Sequence, residues 1–274
     1  MSSLAHAEII DFDSPQLDPY RNLKQTNLTR WSGRFIAEGL RVVRRLLESS
    51  YDVESLLMSV ESTDLIPADL RPDVPRLVVT QALAEQLVGF HFHAGVLACG
   101  RRKPSPHVTD LAAVTSGEDS LIVVCPRTTD PDNLGGLIRL SAAFGASGLI
   151  LGPGCADPFS RRTLRVSMGT ALFLPILEPP NLADVLTSLR SEHAYTQIAT
   201  VLDPQAISLA KFAPPRRIAL LLGNEADGLD EDLIGSSDVR LTIPMSGEID
   251  SLNVTVSAGI FLHALRRSGS KRSA

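Results

Sequence analysis

The chain has 274 residues, of which 44% are hydrophobic and 21% are charged, and its formal net charge is −5. This length and composition predict a globular protein of one large or two ordinary domains, and they exclude extensive disorder outside the ends. The acidic balance argues against a protein that coats nucleic acid indiscriminately, although arginine clusters occur locally.

The sequence contains no pattern typical of export, membrane insertion or metal binding. The first twenty residues are acidic and lack a cationic start followed by an apolar run, so no signal peptide is expected. No segment reaches the roughly 18 uninterrupted apolar residues of a membrane span. Cys99, Cys125 and Cys155 form no CxxC pair, and His91 and His93 have no third ligand nearby. We therefore expect a cytoplasmic protein with buried free cysteines and no metal.

The N-terminal third predicts a small α/β domain over residues 21–104, after a flexible lead of residues 1–20. Apolar residues recur with a helical period over residues 33–48, which predicts one helix there. The further predicted elements are strands at 53–60, 76–80 and 94–100, and a helix at 80–87 with Thr80 as N-cap. A polar, proline-containing run follows and predicts a linker over residues 105–117.

The remainder of the chain predicts a doubly wound parallel sheet. Its strands are near-continuous apolar runs, as expected for parallel strands buried on both faces. The predicted strands are 120–125, 148–152, 172–177, 195–201, 217–223 and 238–245. The predicted helices are 134–145, 160–170, 182–192, 230–236 and 254–267. Strands and helices that alternate in this way are typical of an α/β fold.

Polar residues follow three of these strands. Asn133 and Arg139 come after the first, Glu225 after the fifth, and Ser251 and Asn253 after the sixth. Because ligands bind at the carboxyl ends of strands in open parallel sheets, these loops predict a shared site. Structural alternatives exist for single residues, since Asn133 or Asn253 could cap a helix and Glu225 could belong to a surface turn.

These segments resemble the motifs of the SpoU (TrmH-like) family of RNA ribose 2′-O-methyltransferases, a branch of the SPOUT class. The first motif corresponds to Asn133, Gly135, Ile138 and Arg139, and the second to Gly223, Asn224, Glu225, Gly228 and Leu229. The third corresponds to Ile243, Pro244, Met245, Ser251, Leu252, Asn253 and Val254. The resemblance covers roughly residues 118–267, and it predicts a methyltransferase domain over residues 118–268 followed by a flexible tail at 269–274. Residues 35–47 and 93–98 are similar to the L30e-like substrate-binding domain of some members.

The resemblance implies a C-terminal trefoil knot, S-adenosylmethionine as cofactor, RNA as substrate and a homodimer packed through the knot. The implied cofactor-binding residues are Leu222, Gly223, Asn224, Ile243, Met245, Ser251, Leu252 and Asn253. The implied catalytic residues are Arg139, Asn133, Glu225, Ser251 and Asn253. We interpret Arg139 as a clamp on an RNA phosphate, because a guanidinium group normally stays protonated and is a poor base.

The arginine clusters gain a function if the substrate is RNA, since they could hold its backbone in a salt-dependent way. The candidates are Arg34, Arg41, Arg44, Arg45, Arg161, Arg162 and Arg165. Without RNA they would form solvated surface. The resemblance to members that carry an L30e-like domain implies 23S rRNA rather than tRNA as substrate, whereas the target nucleotide and any role in antibiotic resistance stay open.

Three other functions agree less well with the sequence than ribose methylation does. A non-catalytic RNA-binding protein with the same fold is disfavoured because all the implied catalytic residues are present. A dinucleotide-dependent enzyme is disfavoured because no GxGxxG follows the first strand of the parallel sheet. A base N-methyltransferase is disfavoured because the Ser251-Leu252-Asn253 pattern resembles the ribose-modifying branch.

Overall fold

The computed structural model describes residues 8–9, 11–24, 32–67, 69–113, 119–224, 227–245 and 251–266. The strands are β1 (Glu8–Ile9), β2 (Arg34–Glu38), β3 (Val53–Ser59), β4 (Arg76–Val79), β5 (Val96–Arg101), β6 (Ser120–Cys125), β7 (Gly148–Leu151), β8 (Ile176–Leu177), β9 (Thr196–Thr200), β10 (Ile207–Ser208), β11 (Arg217–Leu221) and β12 (Val239–Thr242). The α-helices are α1 (Leu40–Glu48), α2 (Gln81–Val88), α3 (Val108–Ala113), α4 (Pro131–Ala143), α5 (Arg161–Val166), α6 (Leu182–Ser191), α7 (Glu231–Ser236) and α8 (Val254–Leu265).

The chain divides into two compact units. Unit 1 comprises the described residues of Met1–Pro104 together with Asp157–Phe173, and unit 2 comprises those of Ser105–Ala156 and Leu174–Ala274. The division differs from the predicted one, in which residues 157–173 belong to a continuous methyltransferase domain. The segment carries α5, which packs against β2 of unit 1. The order of the predicted elements along the chain does not show that residues 157–173 pack with the N-terminal unit.

Unit 1 contains a mixed sheet in the order β1-β4-β3-β5-β2, in which β5 runs antiparallel to β2 and β3. The helix predicted over residues 33–48 is wrong in its first part, because Arg34–Glu38 form β2 and α1 begins at Leu40. Gly39 separates the two elements at φ +89°, a conformation that favours glycine. Thr80 caps α2 as predicted, since its Oγ1 accepts a hydrogen bond from the Leu83 amide.

The N-terminal lead is more ordered than predicted. Pro15–Tyr20 form a 3-10 helix, and the side chains of Leu17 and Tyr20 are fully buried. The Tyr20 hydroxyl lies 2.8 Å from Ser55 Oγ and accepts a hydrogen bond from the Cys99 amide. Burial raises the pKa of the Tyr20 hydroxyl, and it raises the pKa of the Cys99 thiol to about 12, so both stay protonated at neutral pH. The acidic composition of this segment led to the prediction of a flexible lead, although Leu17 and Tyr20 bind it to the core.

Unit 2 is built on a parallel seven-stranded sheet in the order β10-β12-β9-β11-β6-β7-β8. This confirms the predicted α/β class with a parallel C-terminal sheet. Strand β11 lies between β6 and β9, with Leu221 opposite Val124 on one side and Ala199 on the other. The carboxyl ends of β6, β9 and β11 therefore meet at one edge. The trefoil knot stays a prediction.

Several boundaries in unit 2 differ from the predictions. The strand predicted over 172–177 is only Ile176–Leu177, since a 3-10 helix occupies Thr170–Leu172. The predicted linker contains α3, whose Leu111 is fully buried, while residues 114–118 lie outside the described ranges. Helix α4 begins at Pro131 with Asp130 as N-cap, so Asn133 lies inside the helix and does not cap it. No helix in the described part of the chain has the length and hydrophobicity that a bilayer crossing requires.

Candidate active site

A cavity of about 480 Å³ opens at the carboxyl edge of the parallel sheet in unit 2. Its walls come from the segments after β9, β11 and β12 and from the first two turns of α8. The lining residues are Thr200, Val201, Leu202, Leu222, Gly223, Asn224, Asp227, Gly228, Leu229, Ile234, Ile243, Met245, Ser251, Leu252, Val254, Ser257 and Phe261. The cavity therefore collects the second and third sequence motifs around one volume.

The loop after β11 is a closed turn. Asn224 and Gly228 exchange backbone hydrogen bonds of 2.8 and 3.0 Å. A Cβ atom on Gly223 would lie 2.7 Å from the carbonyl carbon of Gly228 and 2.9 Å from the Leu229 nitrogen. Only glycine allows the two arms of this turn to approach so closely. The Asn224 side chain donates to the Arg127 carbonyl at 2.9 Å, which connects the turn to the loop after β6.

The segments on either side of residues 246–250 form a further wall. Ile243 and Met245 follow β12, and Ser251 and Leu252 precede α8. Residues 246–250 and Glu225, one of the predicted catalytic residues, lie outside the described residues. Leu252 is exposed although it is apolar, and it faces the cavity. A ligand in the cavity would cover it.

Asn133 and Asn253 are joined by a hydrogen bond, although 120 residues separate them in the chain. Asn253 Nδ2 donates to Asn133 Oδ1 at 3.0 Å, and the Thr255 hydroxyl donates to the same oxygen at 3.2 Å. Asn253 also caps α8, because its Oδ1 accepts from the Thr255 amide at 2.8 Å. The capping role considered for Asn253 is thus real and coexists with a contact between the first and third motifs. Helices α4 and α8 are fixed to each other at this point.

Arg139 lies on α4, one and a half turns after Asn133, and its side chain is exposed. It makes no hydrogen bond or ion pair to any other residue in the described part of the chain. A guanidinium group without an internal partner is available for an anionic ligand such as a phosphate. The structure thus brings Asn133 and Asn253 together and leaves Arg139 open to solvent.

The predicted cofactor-binding residues converge on the cavity with one exception. The seven that line it are Leu222, Gly223, Asn224, Ile243, Met245, Ser251 and Leu252, whereas Asn253 lies beside it. Sequence reasoning missed the wall formed by Thr200, Val201 and Leu202. A signal was available, because Thr200 and Val201 end a predicted strand of the parallel sheet and Leu202 follows it directly.

The predicted RNA-binding arginines of unit 1 differ in their internal contacts. Arg34 lies on β2 and pairs with Glu54 at 2.8 Å. Arg44 donates to the Leu65 carbonyl, and Arg162 is exposed. Arg41 is also exposed and has no partner among the described residues.

Arg161 is largely internal. Its side chain is 23% exposed, and it donates to Glu38 at 2.8 Å and to the Leu23 carbonyl at 2.6 Å. Its guanidinium carbon also lies 4.7 Å from the centre of the Phe90 ring. Arg165 reaches the same Glu38 carboxylate at 3.4 Å but is more exposed. Arg161 therefore serves the packing of unit 1, whereas Arg165 keeps access to solvent.

The chain is similar to proteins named as RNA methyltransferases. The family model described as SpoU rRNA Methylase family matches residues 120–263. An uncharacterized tRNA/rRNA methyltransferase of Mycobacterium bovis is 34% identical, with 96% of this chain and 92% of the relative covered. The 23S rRNA guanosine 2′-O-methyltransferase RlmP of Bacillus subtilis is 28% identical, with 85% and 88% covered. An AdoMet-bound rRNA methyltransferase from Sinorhizobium meliloti has a TM-score of 0.79 and 27% identity, with 94% and 96% covered.

Proposed function

The chain belongs to the SpoU rRNA methylase family, and on that premise we propose that it is an enzyme that methylates a ribose 2′-hydroxyl of RNA with S-adenosylmethionine as methyl donor. The named activity of RlmP and the AdoMet bound to the Sinorhizobium protein support this proposal. The observation that carries it within this chain is the hydrogen bond between Asn133 and Asn253. It joins the helix of Arg139 to the wall of the cavity, since Leu252 and Val254 on either side of Asn253 line that cavity.

The cavity fits S-adenosylmethionine in size and chemistry. Its volume of about 480 Å³ lies in the range of roughly 300–1,000 Å³ that is usual for small-molecule sites. Leu222, Ile243 and Leu252 provide apolar surface for a planar base, while the Ser251 hydroxyl and the Asp227 carboxylate provide polar and anionic groups. The cationic sulfonium and ammonium groups of the methyl donor would be attracted by Asp227, whose carboxylate also lies 3.8 Å from the Arg127 guanidinium.

The residues of this chain would orient the RNA rather than form bonds with it. The bound cofactor supplies an electrophilic methyl group. Arg139 holds an RNA phosphate by charge-assisted hydrogen bonds, and that phosphate can accept the proton of the reacting hydroxyl. Asn133 fixes the direction of α4, and with it Arg139, through its contact with Asn253. Ser251 and Glu225 complete the proposed catalytic set, and placement of the reactants supplies most of the rate.

The proposed substrate is 23S rRNA, with tRNA as the second candidate. RlmP is named for 23S rRNA and is similar over 85% of this chain. The Mycobacterium bovis relative is named for either RNA class. An L30e-like role for unit 1 in substrate binding is part of this proposal, and an RNA substrate is consistent with a cytoplasmic location.

The proposal includes a homodimer packed through a knotted C-terminal region. Helices α4 and α8 pack together, and α8 leaves Val256 and Ile260 exposed at 54% and 40%. These two residues are four positions apart and therefore lie on one face of the helix. A second copy of the chain would cover them. Sedimentation or light scattering of the wild-type protein tests the dimer.

A non-catalytic RNA-binding protein is the alternative, and one experiment separates the two functions. 2′-O-methylation is mapped across total RNA from cells with the gene, without it, and complemented by wild type, Arg139→Ala or Arg240→Ala. Arg240 is an exposed arginine of the same unit, paired with Asp203 at 3.3 Å, so its loss should change little. We expect one methylated site to be lost on deletion and restored by wild type and Arg240→Ala only. Restoration of the site by Arg139→Ala would contradict the assigned role, and an unchanged methylation map would overturn the proposed activity.

A further inference from the structure

Unit 1 presents an exposed aromatic ring beside an arginine. Phe173 is 48% exposed, whereas the other phenylalanines and tyrosines that the structure describes are buried or partly buried. The guanidinium carbon of Arg45 lies 5.3 Å from the centre of that ring. This distance is within the range of a cation–π interaction. The free side of the ring remains accessible to a ligand.

Arg45 is held in place by the turn that precedes Phe173. Its Nη1 donates to the Met168 carbonyl at 2.9 Å and to the Thr170 hydroxyl at 3.1 Å. Gly169 adopts φ +74°, and a Cβ atom there would lie 3.2 Å from the Arg45 side chain. The turn therefore lies directly against α1. A guanidinium group fixed in this way loses little further entropy when a ligand binds beside it.

The surroundings of the pair are strongly basic. Helices α1 and α5 together carry six arginines and a single acidic residue, Glu48. Arg41 lies one turn before Arg45 on the same face of α1 and is exposed. Arg165 precedes the turn at Met168 and shares only one carboxylate, that of Glu38. An apolar protein partner would not be matched to a ring set among cations, whereas a polyanion with flat apolar rings would be.

We propose that Arg45 and Phe173 form a stacking platform for an unpaired base of the RNA substrate, with Arg41 and Arg165 holding the flanking phosphates. Bases of single-stranded RNA stack on aromatic rings and guanidinium planes, and arginines bind the adjoining backbone. The inference rests on the proposed function and assigns to unit 1 a base contact in addition to phosphate contacts. It also separates the arginines by role, because Arg45 orients the ring while Arg41 and Arg165 face solvent.

The test uses the full-length protein and a single-stranded 12-nucleotide RNA that carries 2-aminopurine at its centre. Stacking on Phe173 quenches the fluorescence of the analogue. Phe173→Ala and Phe173→Leu should both lose the quench and bind about five-fold or more weakly, since one stacked base is worth roughly that factor at least. Phe173→Trp should keep both signals, because it retains an aromatic face. Leucine separates the aromatic contribution from simple apolar contact.

Val60→Ala is the matched control, since Val60 is an exposed apolar residue of the same unit at 45%. It should leave the quench and the dissociation constant unchanged. Thermal unfolding should give the same Tm in all variants, which excludes misfolding of unit 1. The affinity for S-adenosylmethionine, measured by calorimetry, should also be unchanged, because the cavity lies in unit 2. If wild type methylates rRNA but does not quench the probe, or if Phe173→Ala binds as wild type does, the platform is refuted and the enzyme activity stands. A wild-type protein that neither methylates RNA nor binds the probe overturns both.

Discussion

Replacing Gly223 with alanine should damage cofactor binding more than it damages the fold. The added Cβ would lie 2.7 Å from the Gly228 carbonyl carbon, and the atoms it meets are all backbone, so no side chain can rotate away. Ordinary contact between carbon atoms begins at about 3.5 Å, so the turn must open by roughly 0.8 Å. The turn is closed by the backbone bonds between Asn224 and Gly228, which resist this movement.

The expected magnitude follows from the cost of overpacking, about 1–3 kcal/mol at a tightly packed position. If this cost falls on the ligand-bound shape of the turn, the dissociation constant for S-adenosylmethionine rises by about 5- to 150-fold. Titration calorimetry measures the constant, and thermal unfolding reports on the fold.

Gly235 is the matched control for this substitution. It lies in α7 of the same unit, and a Cβ there would meet nothing within 4 Å. Gly235→Ala should leave cofactor affinity unchanged, and should stabilise the helix by up to about 1 kcal/mol. Wild-type affinity in Gly223→Ala would refute the argument, because the turn would then have moved without affecting the cavity.

Two further predictions concern side chains with defined partners. Asn133→Ala removes the acceptor of the Asn253 hydrogen bond. Because a misplacement of about 1 Å can slow a reaction about 100-fold, kcat should fall at least about ten-fold while cofactor affinity changes less than about three-fold. Steady-state kinetics with calorimetry measure both, and equal losses in the two quantities would contradict a positioning role. Arg161→Ala removes a partly buried ion pair with Glu38, at a cost of about 1–3 kcal/mol, and should lower Tm by several degrees. Arg41→Ala, at an exposed arginine of the same unit, should change Tm little, and an equal drop in both would show that Arg161 has no special structural part.

The parallel sheet could be predicted from sequence because it depends on local patterns, whereas the cofactor pocket was implied by the resemblance to the SpoU family. Continuous apolar runs such as residues 120–125 are buried on both faces, and the polar motifs follow the strands directly. The resemblance to the SpoU family implied that Gly223 and Ile243 share one cofactor pocket, and the carboxyl ends of parallel strands are where such a pocket can form. They do line one cavity, whereas the catalytic roles of Asn133 and Arg139 stay proposals.

The error in secondary structure arose where a short apolar segment is compatible with both the helical and the strand period. Residues 34–48 contain apolar residues at helical spacing, yet Phe35, Ile36 and Ala37 are all buried in β2, and Gly39 turns the chain into α1. Pairing with β5 makes residues 34–38 a strand, and a partner so distant in sequence cannot be predicted from the segment itself. The internal contacts of Arg161 were not foreseen for a similar reason, since its partners Glu38 and Leu23 are distant in sequence.

The return of residues 157–173 to unit 1 limits how the chain can be divided or recombined. A fragment that ends at Pro104 would lack Phe159, whose ring centre lies 5.2 Å from that of Phe35 at an angle of 42°, and Asp157, which pairs with Arg102. The two units are therefore not separable modules with a single junction between them. Exchange of unit 1 with that of a relative would have to transfer both residues 1–104 and residues 157–173. Recombination at a single point would combine one of these stretches with the other stretch from a different protein.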